Sequence, residues 1–187
     1  YRSGELSSPA AEVLDLAHTA GVPCLPVMGR LFDKASPSKT PQPLLGVGVV
    51  RWTPLETLLN KATGPRAVAA CLGVQDPGNV GTILRSGRFL GFAGAVMGPG
   101  THDFWSPKVV RSSAGALCGR PVAQSSDVPA LLGAARAAGY TPVALVPRGG
   151  AVLGETPLPE RPLVLLGAEG QGLDPATVAD AVPFTIA

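Results

Sequence analysis

Apolar and polar positions change rhythm along this chain. Residues 11–22, AEVLDLAHTAGV, set Val13, Leu14, Leu16 and Ala17 at helical spacing and stop at Gly21, which predicts a short amphipathic helix. VPCLPV (22–27) and LLGVGVV (44–50) are apolar runs of strand length. DKASPSKTPQP between them is polar and proline-rich and reads as a loop. PLETLLNKA predicts a further short helix within residues 53–66. From residue 67 the spacing tightens. AVAACLGV, AGAVMG, TPVALV and PLVLLG are strand-like runs. Helical patterns lie between them: residues 79–90 with Asn79 as N-cap after the turn Asp76-Pro77-Gly78, PKVVRSSAGAL, and DVPALLGAARAAG ending at Gly139. DPATVADAV follows with Asp174 as N-cap and Pro175 in the first turn, and FTIA opens a last strand. Short apolar strands alternating with helices predict an α/β protein whose parallel sheet is covered on both faces. Residues 1–52 form a small α/β unit on this reading, 53–66 a linker, and 67–187 the main sheet.

Composition narrows the class. Across 187 residues, 45% hydrophobic content and a mean hydropathy of +0.28 describe a chain able to bury a core. The 24 glycines and 20 prolines imply many tight turns. No apolar run has membrane-spanning length, so no membrane partner is expected. Cys24, Cys71 and Cys118 are odd in number and lack metal spacing. They read as reduced thiols in an intracellular compartment, either cytoplasm or, in a eukaryote, a mitochondrion or plastid, and no metal site is expected.

Net charge is only +2, but Arg85, Arg88, Lys108, Arg111 and Arg120 face a single acid, Asp103, between residues 85 and 120. Such a basic segment suits phosphate contacts, and it is also compatible with an ordinary solvated surface. A dinucleotide-binding turn and a P-loop are both absent, because QDPGNVG follows the first main strand and no Gly-Lys-Ser/Thr occurs. GAEGQG (167–172) follows a strand and carries three glycines around Glu169, which lets backbone groups approach a ligand. His102 reads as substrate-side loop surface and not as a ligand. Phe104 and Trp105 are open to base stacking or core packing.

DPGNVGTILRSGRFLG, GPGTHDFWSPKVVRSSAGAL and LVLLGAEGQGL, in this order, resemble the SpoU/TrmH branch of the SPOUT RNA methyltransferases over residues 67–187. Asn79 and Arg85 match that family's first motif and Glu169 its second. Residues 1–52 resemble the later part of an L30e-like substrate-binding domain. The resemblance implies a SPOUT sheet with a trefoil knot, S-adenosylmethionine as cofactor, a homodimer, and methyl transfer to the 2′-hydroxyl of an RNA ribose. Ribosomal RNA is favoured over transfer RNA, and the competing reading is an RNA-binding dimer without methyltransferase activity. A third motif, Ser-Leu-Asn-Val or similar after an Ile-Pro pair, is expected just beyond Thr185-Ile186-Ala187, so the chain is expected to be a fragment with an incomplete knot.

The resemblance assigns Asn79, Arg85 and Glu169 to catalysis and Gly167, Gly170 and Ile186 to the cofactor. Arg88, Lys108, Arg111 and Ser112 are expected on the RNA side. A ribose hydroxyl is a poor nucleophile and must be oriented in line and relieved of its proton, whereas a neutral thioether leaves without acid assistance. The forked donors of Arg85 suit a developing alkoxide, with an RNA phosphate or water taking the proton. Asn79 is expected to cap its helix and to hold Arg85 or Glu169.

Overall fold

The computed structural model describes residues 1–4, 6–61 and 66–186. The chain divides into two compact units, Tyr1–Val49 and Val50–Ala187.

In the first unit, α1 is Ser8–Thr19 and α2 is Gly29–Ala35. Gly21 adopts φ +70°, so the predicted helix stop holds. The two expected strands do not form. Among the described residues the unit contains only an isolated parallel bridge between Arg2 and Val27. Pro23 and Pro26 remove two amide donors from VPCLPV, and Val47 and Val49 of LLGVGVV stand exposed with no strand to pair with. The expected loop is also shorter than predicted, because Asp33, Lys34 and Ala35 complete α2.

The second unit runs α3 (Leu55–Lys61), β1 (Val68–Cys71), α4 (Pro77–Phe89), β2 (Gly94–Met97), α5 (Pro107–Ser112) and β3 (Val122–Gln124). It continues with α6 (Val128–Ala137), β4 (Thr141–Leu145), β5 (Ala151–Val152), β6 (Pro162–Leu166), α7 (Pro175–Ala179) and β7 (Val182–Thr185). All seven strands are parallel, in the order β3-β2-β1-β6-β4-β7-β5. Burial on both faces explains why the strands read as continuous apolar runs and not as alternating ones. Val68 and Ala70 of β1 point into one core with Leu58 and Leu59 of α3 and Leu131, Leu132 and Ala135 of α6. Ala69 and Cys71 point into the other, with Val80 and Leu84 of α4, Val109 of α5 and Phe104. No helix among the described residues is long and apolar enough to cross a membrane.

β1 and β6 are neighbours, yet β1 leads through α4 to β2 on one side while β6 leads through α7 to β7 on the other. The two following loops, 72–76 and 167–174, therefore leave a point where the strand order reverses. In open parallel sheets this is where ligands bind.

Candidate active site at the diverging ends of β1 and β6

The β6 loop is locked by its own backbone. Ala168 N–H donates to Gly172 O at 3.1 Å, and Gly172 N–H returns a bond to Ala168 O at 2.8 Å. A Cβ on Gly167 would lie 2.3 Å from the Gly172 carbonyl carbon, so only glycine fits. This closed turn presents Glu169 to the β1 loop. One carboxylate oxygen accepts Gln75 N–H at 3.1 Å. The other accepts Asp76 N–H at 3.4 Å and the Asn79 side-chain amide at 3.1 Å.

Asn79 is not the N-cap. That position belongs to Asp76, whose side chain accepts Asn79 N–H at 2.9 Å, with Pro77 as the first helical residue. Two cap formers, Asp76 and Asn79, flank Pro77-Gly78, and proline's fixed φ suits the first helical position better than the middle of a loop. The earlier helix start frees the Asn79 amide to reach Glu169.

Backbone donation from Gln75, then the Asn79 amide, hold the Glu169 carboxyl well below the ordinary range, at about 2. Its own amide and that of Asp76 act in the same direction against a small opposing effect of burial. Glu169 is an anion throughout the physiological range, although its side chain is exposed. Burial pushes the Cys71 thiol up to about 12, with the Glu169 charge adding to the effect, which leaves it without nucleophilic character.

Arg85 lies elsewhere on α4. It is exposed and lines a shallow, open depression with Ser86, Phe89 and Leu90. No hydrogen bond among the described residues joins it to Asn79 or Glu169. Phe89 is 88% exposed and Leu90 68%. Lys108 and Arg111, three residues apart on α5, are exposed on one helical face.

Two residues expected on the RNA side are tied into the fold. Arg88 Nη1 donates to the carbonyls of Gly115, Ala116 and Cys118, holding a turn in which Ala114 has φ +48°. Ser112 Oγ lies 2.9 Å from Pro77 O and 2.9 Å from Lys108 O, at a crossing where α4 and α5 touch at Gly81. Phe104 is fully buried against Trp52, which also meets Trp105 edge-on, so these aromatics pack together. Of the residues expected at the cofactor, Gly167 is fixed by packing. Gly170 (φ +82°) has open space where a side chain would stand, and Ile186 is 73% exposed.

Sequence reasoning passed over Thr101. Its hydroxyl donates to Cys71 O at 2.7 Å and accepts Gly73 N–H at 3.0 Å. The available signal was a hydroxyl residue in a glycine-rich loop directly after a strand, where such side chains satisfy turning backbone.

Residues 66–186 match the SpoU rRNA Methylase family. The chain is 31% identical over 156 residues, 83% of its length, to the 23S rRNA (guanosine(2553)-2′-O)-methyltransferase RlmP of Bacillus subtilis. It is 40% identical over 100 residues, 54% of its length, to an uncharacterized tRNA/rRNA methyltransferase of a Synechocystis strain. It spans 60% and 36% of those two proteins. Its fold superposes with a TM-score of 0.81, at 25% identity, on the SpoU methyltransferase AviRb of Streptomyces viridochromogenes solved with AdoMet, covering all of this chain and 71% of that one. The sheet order, the clasp between the two motif loops and the match over most of its length place this chain in the SpoU rRNA methylase family.

Proposed function

We propose that this protein transfers a methyl group from S-adenosylmethionine to the 2′-hydroxyl of a ribose in RNA, acting as a homodimer with ribosomal RNA as the target. The observation that carries this reading is the clasp of Glu169 on Gln75, Asp76 and Asn79. It joins the family's two motif loops where the strand order reverses. The B. subtilis relative, a 23S rRNA 2′-O-methyltransferase, and the cofactor in the AviRb structure point the same way.

The residues present fit such a cofactor. Gly170 leaves backbone open to a polar amino-acid moiety, and Ile186 offers an exposed apolar side chain to a flat base. Gly167, Gly170 and Ile186 would hold it. When bound, the cofactor supplies an electrophilic methyl on a sulfonium.

The chain's own residues do the rest. Asn79 and Glu169 tie the β1 loop to the β6 loop and so pre-position that wall of the site. Arg85 has no hydrogen-bond or ion-pair partner among the described residues, and its five N–H donors are available to orient the ribose oxygen and stabilise its developing charge. An arginine stays protonated, so the proton goes to an RNA phosphate or water. Lys108 and Arg111 contact phosphates. The exposed Phe89 and Leu90 beside Arg85 form a surface that a second copy covers. Residues 1–52 serve as the RNA-binding unit, and residues 67–187 form the methyltransferase domain with its trefoil knot.

The test is transfer of labelled methyl from S-adenosylmethionine to ribosomal and transfer RNA by the intact protein. Label in an alkali-resistant dinucleotide from ribosomal RNA supports the reading. Label in transfer RNA alone overturns the target. Cofactor and RNA binding without transfer overturns the enzyme.

A further inference from the structure

The five residues between β1 and α4 are gripped from two sides. On one side, Gln75 and Asp76 donate to Glu169. On the other stands the loop after β2. Its first residue, Gly98, donates its N–H to Cys71 O at 2.8 Å, and His102 N–H donates to Val74 O at 2.9 Å. Between these two bonds Thr101 makes the side-chain tie, giving its one hydroxyl proton to Cys71 O and accepting Gly73 N–H.

That tie sits where the chain turns. β1 ends at Cys71, Leu72 N–H makes the last bond to β6 at Leu166 O (2.7 Å), and Gly73 takes φ +83°. The Thr101 hydroxyl thus bridges the last strand carbonyl and the first amide of the turn, and fixes the direction in which Gln75 and Asp76 leave. Space is tight on both flanks. A Cβ on Gly73 would lie 3.3 Å from Ala168 Cβ, and one on Gly98 only 2.3 Å from Leu72 Cδ2. The segment has little freedom to find another path while the bridge holds.

We propose that Thr101 is a positioning residue of the methyl-transfer site. It touches no reacting atom and acts through the main chain of residues 73–76, aiming the Gln75 and Asp76 amides at Glu169 and thereby fixing Glu169 and Asn79. The kinetic consequence rests on the methyl-transfer reading; the geometric consequence does not. An apolar isostere at 101 leaves Cys71 O with Gly98 as its remaining donor and strands Gly73 N–H, so the turn relaxes and the clasp loosens.

The test uses the intact protein with threonine, valine, alanine or serine at position 101. The Glu169 carboxyl is followed by carbon-detected NMR titration, and single-turnover methyl transfer to RNA is measured in parallel. Thr101→Val and Thr101→Ala should raise the Glu169 pKa from about 2 toward the ordinary carboxylate range. They should lower the single-turnover rate constant roughly 10- to 100-fold with the half-saturating RNA concentration changed less than about 3-fold, as expected for misplaced groups. Thr101→Ser keeps the hydroxyl and should restore both readouts. An unmoved titration in both deletion variants overturns the proposal, as does failure of serine to rescue. Unfolding of both deletion variants also overturns it, by making the hydroxyl a purely structural tie. If the wild type methylates no RNA, the functional reading falls while the titration still decides the role of Thr101.

Discussion

Gly81 sits at the crossing of α4 and α5, and replacing it with alanine tests how closely that crossing is packed. A Cβ there would fall 2.0 Å from Ser112 Oγ, 2.6 Å from Ser112 Cβ and 2.8 Å from its carbonyl carbon. The hydroxyl can rotate away at the loss of its bond to Pro77 O, about 1 kcal/mol. The other two atoms belong to α5 itself, so that helix must retreat by roughly 1 Å to regain ordinary contact. Overpacking of this kind costs about 1–3 kcal/mol. Alanine's better helix propensity returns up to about 1 kcal/mol. The expected net destabilisation is about 1–3 kcal/mol, read as a lower urea midpoint at unchanged slope. Gly133, inside α6, is the control: nothing lies within 4 Å of its Cβ position, so Gly133→Ala should stabilise by roughly 0.5–1 kcal/mol. Gly81→Ala combined with Ser112→Ala should recover only part of the loss, because the backbone contact persists. A Gly81→Ala protein as stable as wild type would refute the close crossing.

Two further outcomes follow from the site and the surface beside it. The Glu169 carboxyl lies below its ordinary value in the folded chain, so the fold favours its ionised form and its contribution is present above the unfolded value, roughly 4.3. That contribution fades as pH falls and is gone below about 2, so the stability difference between wild type and Glu169→Gln, followed by urea unfolding, should be constant above roughly pH 5 and shrink below it; a difference that persists unchanged in acid would mean the clasp is not ionic. Phe89→Asp, which puts a charge on the exposed patch beside Arg85, should convert a light-scattering dimer of the intact protein to a monomer, and a wild type already monomeric at micromolar concentration would contradict the proposed assembly.

The main sheet was legible because strands buried on both faces leave continuous apolar runs, and the helices between them carry strong caps such as Asp174-Pro175. β3 and β5, three and two residues long, are too short for periodicity to register. The helical pattern from residue 107 breaks at Ser112 because Ala114 and Gly115 turn to positive φ, and the Arg88 guanidinium that holds this turn comes from α4, 27 to 30 residues upstream of the carbonyls it meets. Apolar content in VPCLPV and LLGVGVV resembled strand, but a strand exists only where a second one completes its ladder. At the site, the motif letters located Asn79 and Glu169 but left open whether Asn79 holds Arg85 or Glu169, and the fold pairs it with Glu169. Thr101 carried only the faint signal of a hydroxyl residue in a glycine-rich loop after a strand, because a single hydroxyl that closes a turn leaves no periodicity or spacing.

The most direct test of the central claim is single-turnover transfer of labelled methyl to RNA by wild type and Arg85→Ala, beside a cofactor titration. Loss of a charged donor aimed at the reacting oxygen should slow transfer about 10²- to 10³-fold, or roughly 3–4 kcal/mol. Cofactor affinity should stay nearly intact, and Arg85→Lys should recover only part of the rate because an ammonium lacks the forked donors. Near-wild-type transfer by Arg85→Ala would make this residue an ordinary surface arginine and contradict its place in catalysis.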